Sequence, residues 1–520
     1  MRAYLLLVLV LLSACSSEND ERAFDILIIN GLVYDGSLAP GKTTNIGIRG
    51  DRIATIDAAG DAPAGRVIDA EGRLVVPGFI DPHTHARRWL LDPATSANLN
   101  YLAQGVTTVF IGNDGDGLRD REQRLATFEA QGIGPNVAFF AGHGLIRQTV
   151  MGMADRFASE AELEAMKALV REDMQAGAFG LSSGLFYAPG SYSDTAEVIE
   201  LARLAAGFGG VYDTHMRSES SHADGLLAAL DEALRIGAES GIAVHISHIK
   251  ALGKDVWSQS DAIIAAVDEA RASGLDITAN QYPWLASGTR FSNALVPRWV
   301  MADSEERMFE RLADPELFGG IREAMVDNLE RRGGPDAMLV TEAESPYAGM
   351  TLTEIATQLE LAPVDAAIVA IESGDPSIAS FVMHQEGVDR LAIQPWVMTG
   401  SDGSSGHPRL YGTYPKAWRD FVVDRPLMSV ERFVNRSSGQ VADTFGICER
   451  GYLREGYFAD IAIIDPDGYL PLATYANPVR LAAGVEQLII NGVLTIDGAF
   501  LNELPGRVLR KNSSACAHVI

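Results

Sequence analysis

Between residues 77 and 450 apolar runs rich in β-branched side chains alternate with stretches of helical period. Eight such runs can be counted: 75–85, 106–114, 136–144, 178–185, 210–217, 243–250, 277–284 and 396–403. Most are almost continuously apolar at their start, the pattern of strands covered on both faces. Segments between them, such as 160–175 and 261–273, carry apolar residues at helical spacing. That alternation predicts an α/β chain, a (β/α)8 TIM-like barrel over 77–450. The gap between the seventh and eighth runs, about 285–395, is far longer than one helix needs. It predicts an insertion before the eighth strand, placed to cover the site.

The two ends read differently. Residues 25–76 hold short alternating stretches, Asp25-Ile26-Leu27-Ile28-Ile29 and Arg52-Ile53-Ala54-Thr55-Ile56 among them, broken by Gly, Asp and Pro. Residues 451–520 repeat that style in Ala459-Asp460-Ile461-Ala462-Ile463-Ile464 and Val485-Glu486-Gln487-Leu488-Ile489-Ile490. Both ends are expected to form one small β-sandwich domain. Residues 1–14 start basic, run apolar from Tyr4 to Leu12 and close on small residues, as a secretory signal does. Leu12-Ser13-Ala14-Cys15 resembles a bacterial lipobox, which implies lipidation at Cys15, a polar tether over 15–24 and the periplasmic face of the outer membrane. No later run of about 18 apolar residues appears.

Composition narrows the partners. With 42 basic and 69 acidic residues the net charge is 42 − 69 = −27. Such a balance has no field to attract phosphates, so nucleic acid and anionic lipid surfaces are excluded as partners, leaving a small-molecule substrate and an N-terminal anchor. Beyond Cys15 only Cys448 and Cys516 remain, too few for a disulfide framework.

The chemistry sits at the C-terminal ends of the eight runs, where barrel enzymes build their sites. The first ends Asp81-Pro82-His83-Thr84-His85, and two histidines one residue apart on a strand point to the same side. The second ends at Asp114, the fifth at His215, the sixth at His248 and the eighth at Asp402. The chain has 10 histidines, and four at equivalent depth around one ring make a candidate metal centre. Imidazole and carboxylate suit Zn²⁺ or another divalent transition ion. Such an ion lowers the pKa of a bound water to about 7 and polarises a carbonyl. A carboxylate must then accept the proton and pass it to the leaving nitrogen, and Asp402 is the candidate acid/base.

Several motifs carry a resemblance. Pro77-Gly78-Phe79-Ile80-Asp81-Pro82-His83-Thr84-His85 resembles the first-strand signature of the amidohydrolase superfamily. Gly142-His143-Gly144 with Arg147, Gly180-Leu181-Ser182-Ser183-Gly184, Thr214-His215-Met216-Arg217, His245-Ile246-Ser247-His248-Ile249-Lys250, Gly400-Ser401-Asp402-Gly403, His407-Pro408-Arg409 and the closing Pro505-Gly506-Arg507 resemble its N-acyl-D-amino-acid deacylase (D-aminoacylase) family. The resemblance implies a linear amide hydrolase that removes the acyl group from N-acyl-D-amino acids by attack of metal-bound hydroxide. It implies a tight zinc on His215 and His248, a second, weaker metal position bordered by His83 and His85, and Asp402 as acid/base. Lys250, Arg409 and Tyr192 match positions that meet the substrate carboxylate, with Tyr282 nearby and His143 as a helper at the oxyanion.

Two departures stand out. Relatives usually carry a metal-binding cysteine where this chain has Asp114, in Gly112-Asn113-Asp114-Gly115. A carboxylate binds the same metals but weakens zinc selectivity. After the His-Thr-His the chain reads Ala86-Arg87-Arg88 where relatives often have an acidic residue, which leaves open an acidic substrate or a merely decorated rim. Alternatives are a D-amino-acid-containing dipeptidase, a cyclic-amide hydrolase of the hydantoinase or dihydroorotase kind, and a non-catalytic ligand-binding lipoprotein. The cyclic-amide enzymes rely on a carboxylated lysine from the fourth strand, which Gly180-Leu181-Ser182-Ser183-Gly184 lacks.

Overall fold

The structure is a computed structural model that describes residues 23–511. The leader, Cys15 and most of the expected tether lie outside the described residues. Phe24, the last residue of the expected tether, already opens a strand, Phe24–Val33. Among the described residues no helix is long and apolar enough to cross a membrane.

Each of the eight apolar runs contains a strand, and all of these strands pair in parallel. Phe79–Asp81 pairs with Val106–Ile111, which pairs with Asn136–Phe139. One residue further along the chain Ala141–Gly142 pairs with Gly180–Gly184. From there the order continues through Val211–His215, Ala243–Ile246, Ile277–Gln281 and Val397–Thr399. A bridge between Thr84 and Gly403 joins the first of these segments to the last. Every residue of Val106–Ile111, Gly180–Gly184 and Val211–His215 is buried, which is why these runs lack the alternation of a half-exposed strand. Helices cross between them. Glu160–Gln175 starts at a capping box in which Ser159 and Glu162 satisfy each other's backbone amides.

The first run splits at Gly78. Leu74–Pro77 belongs to the terminal sheet, pairing with Ile461–Ile464, whereas Phe79–Asp81 enters the parallel set. The two chain ends do come together, but as nine strands in one hydrogen-bonded sheet rather than two separately paired ones. Between Ile277–Gln281 and Val397–Thr399 the chain carries a three-stranded sheet of Ala286–Arg290, Met338–Val340 and Ser377–Phe381, with its own apolar core around Phe291, Met325 and Ile355.

A buried polar knot fastens the terminal sheet to the parallel strands. The Arg450 guanidinium pairs with Asp460, whose other oxygen accepts from the Asn491 backbone N–H at 2.8 Å. Asn491 in turn donates to Asn136 Oδ1 at 2.8 Å, at the start of the strand Asn136–Phe139. Arg450 and Asp460 are 3% and 5% exposed, so removing one leaves an uncompensated buried charge. Arg450→Met is expected to lower the unfolding free energy by about 3–5 kcal/mol, read by urea denaturation. A loss below about 1 kcal/mol would show that water reaches the knot.

Candidate active site

The candidate ligands lie in the turns that leave the parallel strands, with only His215 on a strand itself. His83 and His85 follow Phe79–Asp81, so they converge through the turn at Pro82 rather than by strand alternation. Asp114, His248 and Asp402 have φ of 57°, 36° and 48°, in the left-handed region. Aspartate tolerates that region, whereas a histidine there is held against its preference. The holding groups form a buried polar floor. Asn280 Oδ1 accepts from the His248 N–H at 2.9 Å, and Asp81 Oδ1 accepts from the Ser401 N–H at 3.0 Å. Asn113 donates to the Pro82 carbonyl at 2.9 Å and to Asp213 Oδ2 at 3.1 Å. Burial pushes the Asp81 carboxyl up to about 7, against the hydrogen bonds from Ser401.

These turns bring six side chains together. One group is His83, His85, Asp114 and Asp402, the other Asp114, His215 and His248, each with donor atoms within 4.8 Å of one another. Asp114 belongs to both. Its Oδ1 lies 3.4 Å from His83 Nε2, 3.6 Å from His248 Nε2 and 3.8 Å from His215 Nδ1, and its Oδ2 lies 3.6 Å from His85 Nε2. His215 Nδ1 and His248 Nε2 face each other at 2.9 Å. Two imidazole nitrogens at that distance need a proton or a cation between them. Both ring nitrogens of His83, and Asp114 Oδ1, are buried without a hydrogen-bond partner. Orphaned lone pairs on imidazole and carboxylate, converging on shared space, are what a divalent transition ion fills. The residues therefore fit the metal that the sequence suggests.

Electrostatics sort the members. Burial opposes charge on Asp402, but the Arg409 guanidinium at 2.6 Å, then His248 and the His85 hydrogen bond at 3.2 Å, hold its carboxyl well below the usual carboxylate range. Asp114 is also held well below it, by His83 and His248 against the cost of burial. Burial takes His215 down to about 4. Burial and Lys250 work against charge on His248, yet Asp402, Glu219 and Asp114 outweigh them and raise it to about 9.

Glu219, four residues beyond His215, is a residue that the sequence reading missed. Its Oε1 accepts from Lys250 Nζ at 2.6 Å and lies 3.0 Å from His248 Nδ1. Its Oε2 lies 3.7 Å from His215 Nε2. It thus touches the outward nitrogens of both histidines of the second group, the position from which a carboxylate fixes a ligand's tautomer and ring orientation. Its only signal in the sequence is a place in the loop after Thr214-His215-Met216-Arg217. Tyr187 was also missed. Its ring is 4.7 Å from that of His215, and it lines two cavities beside the cluster.

The expected substrate residues divide. Tyr282 is buried with its hydroxyl unpaired and its ring beneath Arg409 and Lys250. Arg409 sits behind Gly288, where an added Cβ would meet Nη2 at 2.9 Å, and its Nε has no partner. Lys250 Nζ is already engaged with Glu219, the His248 carbonyl and His248 Nδ1. Tyr192 is not brought to the cluster, because its hydroxyl donates to the Arg298 carbonyl at 2.8 Å. Nor is His143, whose Nε2 lies 2.8 Å from Glu197 Oε1 in a buried group with Arg147.

A family model described as "Amidohydrolase family" matches residues 66–210. The chain is 32% identical to a D-aminoacylase of Alcaligenes xylosoxydans xylosoxydans, over 96% of this chain and 100% of that one. Among solved structures it is similar to the N-acyl-D-glutamate deacylase from Bordetella bronchiseptica complexed with zinc and a phosphonate mimic of the tetrahedral intermediate. The TM-score is 0.81 at 29% identity, covering 94% of this chain and 99% of that one. It is also similar to a D-aminoacylase with a binuclear metal centre, with a TM-score of 0.79 at 31% identity over 94% and 100% of the two chains. Fold and site together define an amidohydrolase. Within that class, the chain belongs to the D-aminoacylase family.

Proposed function

We propose that this chain is a metal-dependent hydrolase that removes the acyl group from N-acyl-D-amino acids. One observation carries the reading: His83, His85, His215, His248 and two carboxylates converge at the strand ends, with Arg409 beside them. We further infer that the parallel strands close into a (β/α)8 barrel over about 77–450, interrupted by an insertion at 285–395 and flanked by a β domain from 25–76 and 451–520. The Thr84–Gly403 bridge supports closure.

His83, His85, His215, His248, Asp114 and Asp402 would hold zinc, in one tight site and a second weaker one. A bound divalent ion supplies Lewis acidity toward the scissile carbonyl and a water that ionises near neutral pH. The remaining chemistry belongs to the protein. Asp402, kept ionised by Arg409, accepts the proton of the attacking water and delivers it to the departing nitrogen. Arg409 retains donors that Lys250 has spent, so Arg409 takes the substrate carboxylate while Lys250 supplies charge and fixes Glu219 and His248. Beside them a small cavity of about 30 Å³ is lined by Lys250 and Arg332, by the carboxylates Glu219 and Asp402, and by Ser287, Gly288 and Thr289. Arg332 Nη1 is buried there without a partner, which favours acidic side chains on the substrate. The insertion must yield for such a side chain to enter.

Export as a lipoprotein through Cys15 is part of the same proposal. Cys448 is disulfide-bonded, a state that oxidising compartments maintain. The reading is tested by amine release from paired N-acetyl-D- and N-acetyl-L-amino acids with added Zn²⁺, Co²⁺ or Mn²⁺. Turnover of the D series at least 100-fold above the L series is expected, with D-glutamate or D-aspartate derivatives among the best. Turnover of hydantoins or D-dipeptides in place of these substrates would overturn it.

A further inference from the structure

The proposed site has a second side. Next to the ligand cluster, and separate from the cavity lined by Lys250 and Arg332, lies an open cavity of about 600 Å³ that has Asp114 and Tyr187 on its wall. Four arginines line it: Arg87, Arg88, Arg119 and Arg124. Arg87 pairs with Asp116 at 2.9 Å and donates to the Gly117 carbonyl at 2.5 Å. Arg119 donates to the Gln148 side chain, and Arg124 Nε donates to the Arg119 carbonyl at 2.6 Å. Among the described residues, Arg88, Arg119 and Arg124 form no ion pair with a carboxylate. Against four guanidinium groups the lining has only Asp114 and Asp116, so it carries 4 − 2 = +2, and more once Asp114 is given to a metal.

In a chain of net charge −27, three arginines without acidic partners around one cavity stand against the general balance. A cleft lined by charges of one sign concentrates ions of the opposite sign. Guanidinium groups present forked donors that match a carboxylate, which a generic cationic rim of lysines does not.

We propose that this cavity is the acyl-group subsite and that it selects acyl groups bearing a second carboxylate, of which N-succinyl is the simplest. The inference rests on the deacylase reading in one respect. On that reading the amino-acid carboxylate is placed at Arg409 and the acyl chain in the cavity that Asp114 borders. The reaction is hydrolysis of one amide. The C–N bond breaks, a C–O bond forms with water, the water proton passes to nitrogen, and the products are a dicarboxylate such as succinate and a free D-amino acid.

The test has a binding arm and a kinetic arm, both on the full-length metal-loaded protein. By titration calorimetry succinate is expected to bind at least tenfold tighter than acetate, and Arg88→Ala with Arg119→Ala is expected to remove that advantage. In kinetics, the ratio of kcat/KM for N-succinyl- over N-acetyl-D-glutamate is expected to fall at least tenfold in the same double variant. Most of that fall should appear in KM. Equal binding of succinate and acetate overturns the proposal whatever the turnover. A variant that depresses both substrates alike, with the loss relieved by salt, also overturns it, since that is steering of any anion. Tight succinate binding with no turnover of either substrate upholds the anion subsite and overturns the deacylase reading.

Discussion

Asp402→Asn lowers kcat on N-acyl-D-amino acids by about 10²–10⁴-fold, the range that a positioned general acid/base contributes, with KM changed far less. The asparagine keeps the shape of the side chain and can still accept from Arg409 and sit beside His85. What it loses is the ability to take a proton. Asp402 is suited to that task because Arg409 at 2.6 Å and His85 at 3.2 Å keep it anionic in a buried setting. Its left-handed backbone, with the amide donating to the His83 carbonyl at 2.9 Å, aims the carboxylate back at His83 and His85, whose Nε2 atoms lie 3.6 and 3.2 Å from Oδ1. Asparagine tolerates the same backbone, so folding should be preserved. Steady-state kinetics with metal analysis of the purified variant separates the outcomes. A loss of less than tenfold with metal retained would reduce Asp402 to a structural partner of Arg409. A loss accompanied by missing metal would show that its main duty is ligation.

The parts of this site that could be read from the sequence are those whose chemistry is borne by residue type at a strand end. His83, His85, Asp114, His215, His248 and Asp402 each close an apolar run, and the structure gathers all six. The strand ends themselves are shorter than the runs, because the left-handed turns at Asp114, His248 and Asp402 are set by partners distant in sequence, such as Asn280. No local pattern announces a hydrogen bond across 32 positions. Glu219 and Tyr187 escaped for a similar reason: each lies in a loop whose path is fixed by packing. Tyr192 and His143 show the converse failure. Their local motifs were informative, but the Tyr192 hydroxyl is engaged by the Arg298 carbonyl and His143 Nε2 by Glu197, while His143 Nδ1 is buried without a partner. The terminal sheet was legible as strand alternation, whereas its union into one pairing order depends on Leu74–Pro77 meeting Ile461–Ile464, a contact across most of the chain.

The arginines make the same point about charge. A net charge of −27 correctly describes the whole molecule and says nothing of one cavity. Arg87 and Arg88 were visible beside the histidines, but Arg119 and Arg124 join them only through the path of the loop and helix that follow Asp114.

Asp114→Asn is expected to weaken zinc binding by at least 100-fold, more than the effect usual for a residue one shell removed from a metal. The carboxylate alone touches both ligand groups: His83, His215 and His248 approach Oδ1, and His85 approaches Oδ2. Asparagine keeps the left-handed turn and the size of the side chain but offers one neutral oxygen, so two groups of imidazoles lose their shared anion. Binding that is confined to the folded state adds RT ln(1 + [L]/Kd) to stability, about 4 kcal/mol when free metal is a thousandfold above Kd. A 100-fold weaker site forfeits about 2.7 kcal/mol of that, which a thermal-shift titration with zinc resolves as a smaller rise in Tm. Asp114→Cys supplies the thiolate that the resemblance leads one to expect at this place and tests the other half of the argument. A thiolate is softer than a carboxylate, so this variant should recover zinc affinity while losing ground for Mn²⁺, moving the Zn²⁺ over Mn²⁺ preference upward. Cysteine is less at ease at φ 57° than aspartate, and the backbone strain should appear as a lower Tm without metal that zinc restores. Wild-type zinc affinity in Asp114→Asn would mean that the four histidines suffice and that the carboxylate serves only to balance their charge.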